Sequence, residues 1–112
     1  DRIDRACARA GVPWLLLVIP GEEQVDPVVR GQALAGLGLD AGDYDFDGPQ
    51  RRLAEWAAGG GVPVLDLLPV LRAAHADTAR LYVPGDTHWN RRGNALAGAA
   101  LAAELTARVI PR

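Results

Sequence analysis

The sequence contains no serine, no lysine and no methionine, and only one cysteine, Cys7. Without serine, these 112 residues hold no serine nucleophile. A lone cysteine excludes a disulfide within the chain and a cysteine-based zinc cluster. Cys7 falls on a predicted first helix, where a small buried apolar residue is the expected role and a reactive thiol the alternative. All twelve basic residues are arginine, and the net charge of -2 gives no electrostatic basis for nucleic-acid binding. The longest apolar run, "WLLLVI" at 14–19, is too short to span a bilayer, so no transmembrane segment is expected. No signal-peptide pattern is present, and a chain that starts at Asp1 without a methionine reads as trimmed.

What is present is aliphatic and moderately charged, as in globular material. A chain of this length buries roughly two thirds of its unfolded surface, enough for one core. "RIDRACARA" (2–10) has helical spacing, stopped by Gly11 and Pro13. "WLLLVI" is apolar at every position, which predicts a strand covered on both faces of a parallel sheet. "DPVVRGQALAGLGL" (26–39) holds one short helix, and "DAGDYDFDGP" (40–49) is a loop. Pro49 opens a helix at its first position and "GGG" (59–61) ends it. "VPVLDLL" (62–68) predicts a second buried strand running into a helical turn, and "LYV" (81–83) a short extended piece. A long helix follows from Asn90, a suitable N-cap, to about Arg108. Its stripe of Ala97, Leu101 and Leu105, with Leu96 at the edge, is expected to lie on the sheet. Strands alternating with helices predict an α/β domain with a parallel sheet flanked by helices.

The densest polar chemistry lies in "LYVPGDTHWNRRGNALAG" (81–98), where Asp86 precedes His88 by two residues on a loop before a helix. A histidine near neutral pH can take and return a proton. A carboxylate on one ring nitrogen fixes its tautomer and stabilises the imidazolium. Loops at the carboxyl ends of strands are where α/β sheets gather ligands. The alternative is that Asp86 and His88 are turn and pre-cap residues that only order the helix start.

"GDTHWNRRGNALAGAALAAEL" (85–105) resembles the last signature block of the SGNH hydrolases, the GDSL-type esterases and lipases. "AGVPWLLLVIPGEEQVDP" (10–27) is similar to that family's central strand and following loop, and "DFDGPQRRLAEWAAGGGVPVLDLLPVLRAA" (45–74) to its next helix and strand. The resemblance implies a flavodoxin-like α/β fold, with His88 as general base and Asp86 as its orienting carboxylate. In that family a serine near the N-terminus is the nucleophile, and a glycine and an asparagine in later blocks form the oxyanion hole. None of those blocks is recognisable here, and Thr78, Thr87 and Thr106 stand in other places. Residues 1–112 are therefore expected to be a single domain or the C-terminal half of an SGNH hydrolase domain. The resemblance implies acyl-ester hydrolysis through an acyl-enzyme in the complete protein, with the isolated chain inactive. Polysaccharide O-acetyl transfer is the alternative chemistry, and a non-catalytic carbohydrate- or protein-binding domain the alternative class. The implied partners are an ester substrate, such as an acylated carbohydrate, and the N-terminal half of the domain or a second copy. The implied setting is secreted or in a bacterial cell envelope, with no cofactor and no metal.

Other polar groups have simpler expected roles. "DYDFDG" (43–48) matches the opening of a calcium loop, but its twelfth position is Ala54, with Glu55 one residue late. It is expected to be a solvated acidic loop in which Asp47 favours the positive end of the next helix. Asp66 is expected to cap the "LLPVL" turn, Trp89 and Asn90 to pack and cap the last helix, and His75 to lie at the surface. Glu22, Glu23 and Gln24 follow a strand end, where they form cleft wall or ordinary loop, and Arg51 and Arg52 read as a solvated helix face.

Overall fold

The computed structural model describes residues 2–75 and 80–108. The chain forms α1 (Arg2–Ala10), β1 (Leu16–Val18), α2 (Glu22–Val25), α3 (Pro27–Leu37), a 3-10 turn (Ala41–Asp43), α4 (Gly48–Gly60), β2 (Val64–Asp66), α5 (Leu68–His75) and α6 (Arg91–Arg108). β1 and β2 pair in parallel, with Leu16 opposite Val64, Leu17 opposite Leu65 and Val18 opposite Asp66. A parallel pair needs a long crossover, which α2, α3 and α4 supply. The architecture is α/β with a parallel sheet, as the alternation of apolar runs and helical segments implies.

The helices begin and end where local chemistry dictates. Asp26 caps α3, its carboxylate accepting from the N–H groups of Val28 (2.8 Å) and Val29 (3.2 Å), and Pro27 fills the first helical position. α4 begins at Gly48, one residue before the expected Pro49, and closes on Gly61. Asp66 turns β2 into α5 by accepting from the Leu68 N–H at 2.9 Å, its expected role.

The core lies where α2, α5, α6 and the 81–90 hairpin converge. Val25, Leu67, Leu68, Leu71, Leu81, Tyr82 and Ala97 are buried there, with Leu17, Leu65, Trp89, Leu96 and Ala100 packed around them. Of the α6 stripe, Ala97 and Leu96 pack into this cluster, which also takes one residue from each strand; Leu101 and Leu105 are half-buried outside it. The strands are shorter and less covered than expected. Each spans three residues, all half-buried, and Ile19 is 60% exposed. Apolar content alone cannot supply the neighbours that would bury them fully. "LYV" is no third strand of the sheet: Tyr82 bridges Trp89 in an antiparallel hairpin instead. Among the described residues, no helix is long and apolar enough to cross a membrane.

Candidate functional site

The site is built on a hairpin between Leu81 and Asn90. The Asp86 N–H donates to the Val83 carbonyl at 3.0 Å, closing a four-residue turn. Pro84 presets the turn, and Gly85 takes the positive φ of 72° that its next position requires. The His88 carbonyl accepts from Val83 N–H (3.0 Å), and the Asn90 N–H donates to Leu81 O (2.9 Å). These bonds place Asp86 and His88 at the exposed tip.

Asp86 Oδ1 meets both the His88 backbone N–H, at 3.0 Å, and the His88 ring at Nδ1. The hydrogen bond from the His88 side chain is the main cause holding the Asp86 carboxyl below its ordinary value, with the His88 backbone N–H second. An ionised carboxylate only accepts, so the ring hydrogen of this contact sits on Nδ1, which leaves Nε2 as the nitrogen that faces outward. The His88 side chain is 83% exposed, so Nε2 is open to an incoming group. A histidine held at one nitrogen by a carboxylate and open at the other can take and return a proton at the open nitrogen. The structure brings together the two residues singled out in the sequence.

Three further residues hold the hairpin in place. The buried Tyr82 hydroxyl donates to the Pro20 carbonyl at 2.9 Å, tying the hairpin to the carboxyl end of β1. Burial is the main cause raising the Tyr82 phenol. The Trp89 indole opposes that rise, yet it sits outside hydrogen-bonding geometry, because its buried Nε1 has no partner. Asn90 caps α6: its Oδ1 accepts from Arg92 N–H (2.9 Å) and Gly93 N–H (3.1 Å), as expected. Gly93 lets α6 approach the hairpin, since a Cβ there would stand 2.4 Å from Leu81 O. Of these, Tyr82 and Gly93 were not apparent as site supports. A glycine in the first turn of a long helix was the available signal for one; nothing local marks a hydroxyl bonded 62 residues away.

The remaining candidates separate from this site. Glu22 carries a raised pKa, caused first by burial and then by the Asp26 charge, with Arg80 opposing. His75 is half-buried: its side chain is 24% exposed and Nε2 lies 3.7 Å from Asp26 Oδ2. α5 places it against the start of α3. Asp47 stands at the N-cap of α4 as expected but makes no side-chain cap bond there; its carboxylate forms a two-pronged pair with Arg72, which also donates to Gln24 O at 2.8 Å. Asp45 pairs with Arg51, so the latter does more than solvate a helix face. Both carboxyls are held low, first by these arginines. Among the described residues, no cluster of three or more His, Cys, Asp or Glu could hold a metal ion. Thr106 bonds Ala102 O on α6, Thr87 lies in the hairpin tip, and Thr78 falls outside the described residues.

The family model described as the SGNH hydrolase-like domain of the acetyltransferase AlgX matches residues 2–111. Comparison with curated proteins and with solved structures gives no match. The match runs through every element of the fold as well as the hairpin with its Asp86–His88 pair, and the chain belongs to this SGNH hydrolase-like family, whose chemistry is acyl hydrolysis and acyl transfer.

Proposed function

We propose that this chain supplies the general base, His88, and its orienting carboxylate, Asp86, to an acyl-ester reaction whose serine nucleophile lies outside residues 1–112. The observation that carries the reading is the Asp86 carboxylate on Nδ1 of a ring whose Nε2 is open. In the first half-reaction the serine Oγ attacks the ester carbonyl carbon and His88 Nε2 takes the hydroxyl proton. The ester C–O bond then breaks, and the leaving alkoxide takes that proton from His88. The acyl-enzyme is resolved by an oxygen nucleophile, whose proton passes through Nε2 back to the serine. Water in that role gives hydrolysis; a sugar hydroxyl gives transfer. The acetyltransferase description of the family favours transfer, and the acceptor proposed here is a carbohydrate hydroxyl in the bacterial cell envelope. In this reading residues 1–112 are part of the catalytic domain, completed by a segment that carries the serine and the oxyanion donors.

The test is turnover of an acetyl ester such as p-nitrophenyl acetate. The 112-residue chain is expected to show none at an enzymatic rate, since nucleophile and oxyanion hole are worth several orders of magnitude. In the serine-bearing polypeptide, His88→Ala is expected to remove nearly all activity and Asp86→Asn about 10⁴-fold at most. Unchanged turnover in His88→Ala would show that the pair only orders the helix start.

A further inference from the structure

His88 is three residues before the start of α6, and its ring is held by Asp86 alone among the side-chain contacts of the described residues. Asp86 rides on the same hairpin tip. The position of Nε2 relative to anything outside the hairpin therefore depends on how the hairpin base is fixed. Asn90 stands at that base and uses its amide in two directions. Oδ1 accepts from the first-turn N–H groups of Arg92 and Gly93, which fixes the helix end. Nδ2 donates to the Arg80 carbonyl at 2.7 Å, on the segment entering the hairpin. The amide thus clamps the entry of the hairpin to the helix that leaves it.

We propose that Asn90 is a positioning residue for His88, and that the donor half of its amide, a function separate from capping, does the positioning. The inference rests on the reading of His88 as the base. It explains why an amide suits this place where a carboxylate would cap equally well. Asp is as good an N-cap as Asn and favours the positive helix end. However, an aspartate has no hydrogen to give to Arg80 O and would set two oxygens against each other.

Asn90→Asp separates the two functions. In the serine-bearing polypeptide kcat is expected to fall about 10- to 100-fold, the scale of a 1 Å misplacement, with KM nearly unchanged. The melting midpoint is expected to hold or rise. Amide exchange is expected to quicken at Val83 and at position 90, whose N–H groups close the hairpin, while Arg92 and Gly93 keep their protection. Parental kcat in Asn90→Asp would overturn the proposal, and so would joint loss of hairpin and helix-start protection, because the two functions would then be one. His88→Ala is run beside it. Activity lost there but retained in Asn90→Asp brings down this inference alone; activity retained in His88→Ala brings down the base assignment and this inference with it.

Discussion

The ionisation of Asp86 is where the site's chemistry meets solution conditions. Its carboxyl is held below the ordinary value chiefly by the His88 side chain. A depressed carboxyl contributes stability above its unfolded pKa, and that contribution is lost as pH falls through the folded value. Neutral and mildly alkaline conditions therefore keep the pair, and acidification below the usual aspartate range releases it. The Asp86 side chain is about half exposed, at 48%, so solvent screens the effect and keeps it local to the hairpin tip. Carboxyl titration followed by NMR should give Asp86 a low midpoint that rises toward the ordinary aspartate value in His88→Ala. An equally low midpoint in that variant would assign the depression to the backbone N–H of residue 88 and leave the ring unheld. Tyr82 acts at the same scale, carrying the hairpin to the end of β1 through one hydroxyl.

Among the elements, α6 shows how closely the hairpin and helix are fitted. Gly93 and Gly98 lie on the same helix, where Gly→Ala on propensity alone stabilises by up to about 1 kcal/mol. At Gly98 an added Cβ meets nothing within 4 Å, so Gly98→Ala should gain roughly that amount. At Gly93 the Cβ would stand 2.4 Å from a backbone carbonyl and 3.0 Å from Trp89 Cβ. The overpacking cost of about 1–3 kcal/mol then exceeds the gain, and Gly93→Ala should lower the melting midpoint by several degrees. Thermal melts of the two variants check this; a Gly93→Ala midpoint at or above the parent would mean that α6 stands off the hairpin. Most elements were legible in the sequence because their signals are local. α1 is found at the residues its spacing and Gly11 indicated, and Asn90 caps α6 three residues before Gly93. The Asp86–His88 contact was legible because two residues on a tight turn have little choice of partner. Arg72–Asp47 and Tyr82–Pro20 span 25 and 62 residues, and no local pattern encodes such pairs. Strand length was overestimated because an apolar run records what a segment can bury, whereas the length of a strand depends on neighbours to pair with.

The whole molecule is extended for its size. Its principal extents are 48 × 29 × 20 Å and its radius of gyration is 16.4 Å, against about 13 Å for a compact chain of this length. It exposes 7605 Å² at a mass of 11.9 kDa, where a folded monomer exposes about 5,900 Å². The excess of about 1,700 Å² is roughly twice the area of about 800 Å² that one partner buries in a standard interface. Ile19, beside the end of β1, Leu37 and Trp56 are among the exposed apolar residues, and α1 has no buried residue. Such a surface fits a body completed by another part of the same domain or by a second copy. The isolated chain is accordingly expected to associate at micromolar concentration or bind a hydrophobic dye, as light scattering and fluorescence would show. A dye-free monomer with a cooperative melt would contradict the shape argument. The reading of the site stands on chemistry, and the acyl-enzyme tests it most directly because hydrolysis and transfer both pass through it. The serine-bearing polypeptide, mixed with an acetyl ester, quenched within one turnover and weighed intact, should carry one acetyl group on serine. The same polypeptide with His88→Ala should remain unacylated over that time. An acetyl-serine forming at the parental rate in His88→Ala would contradict the account.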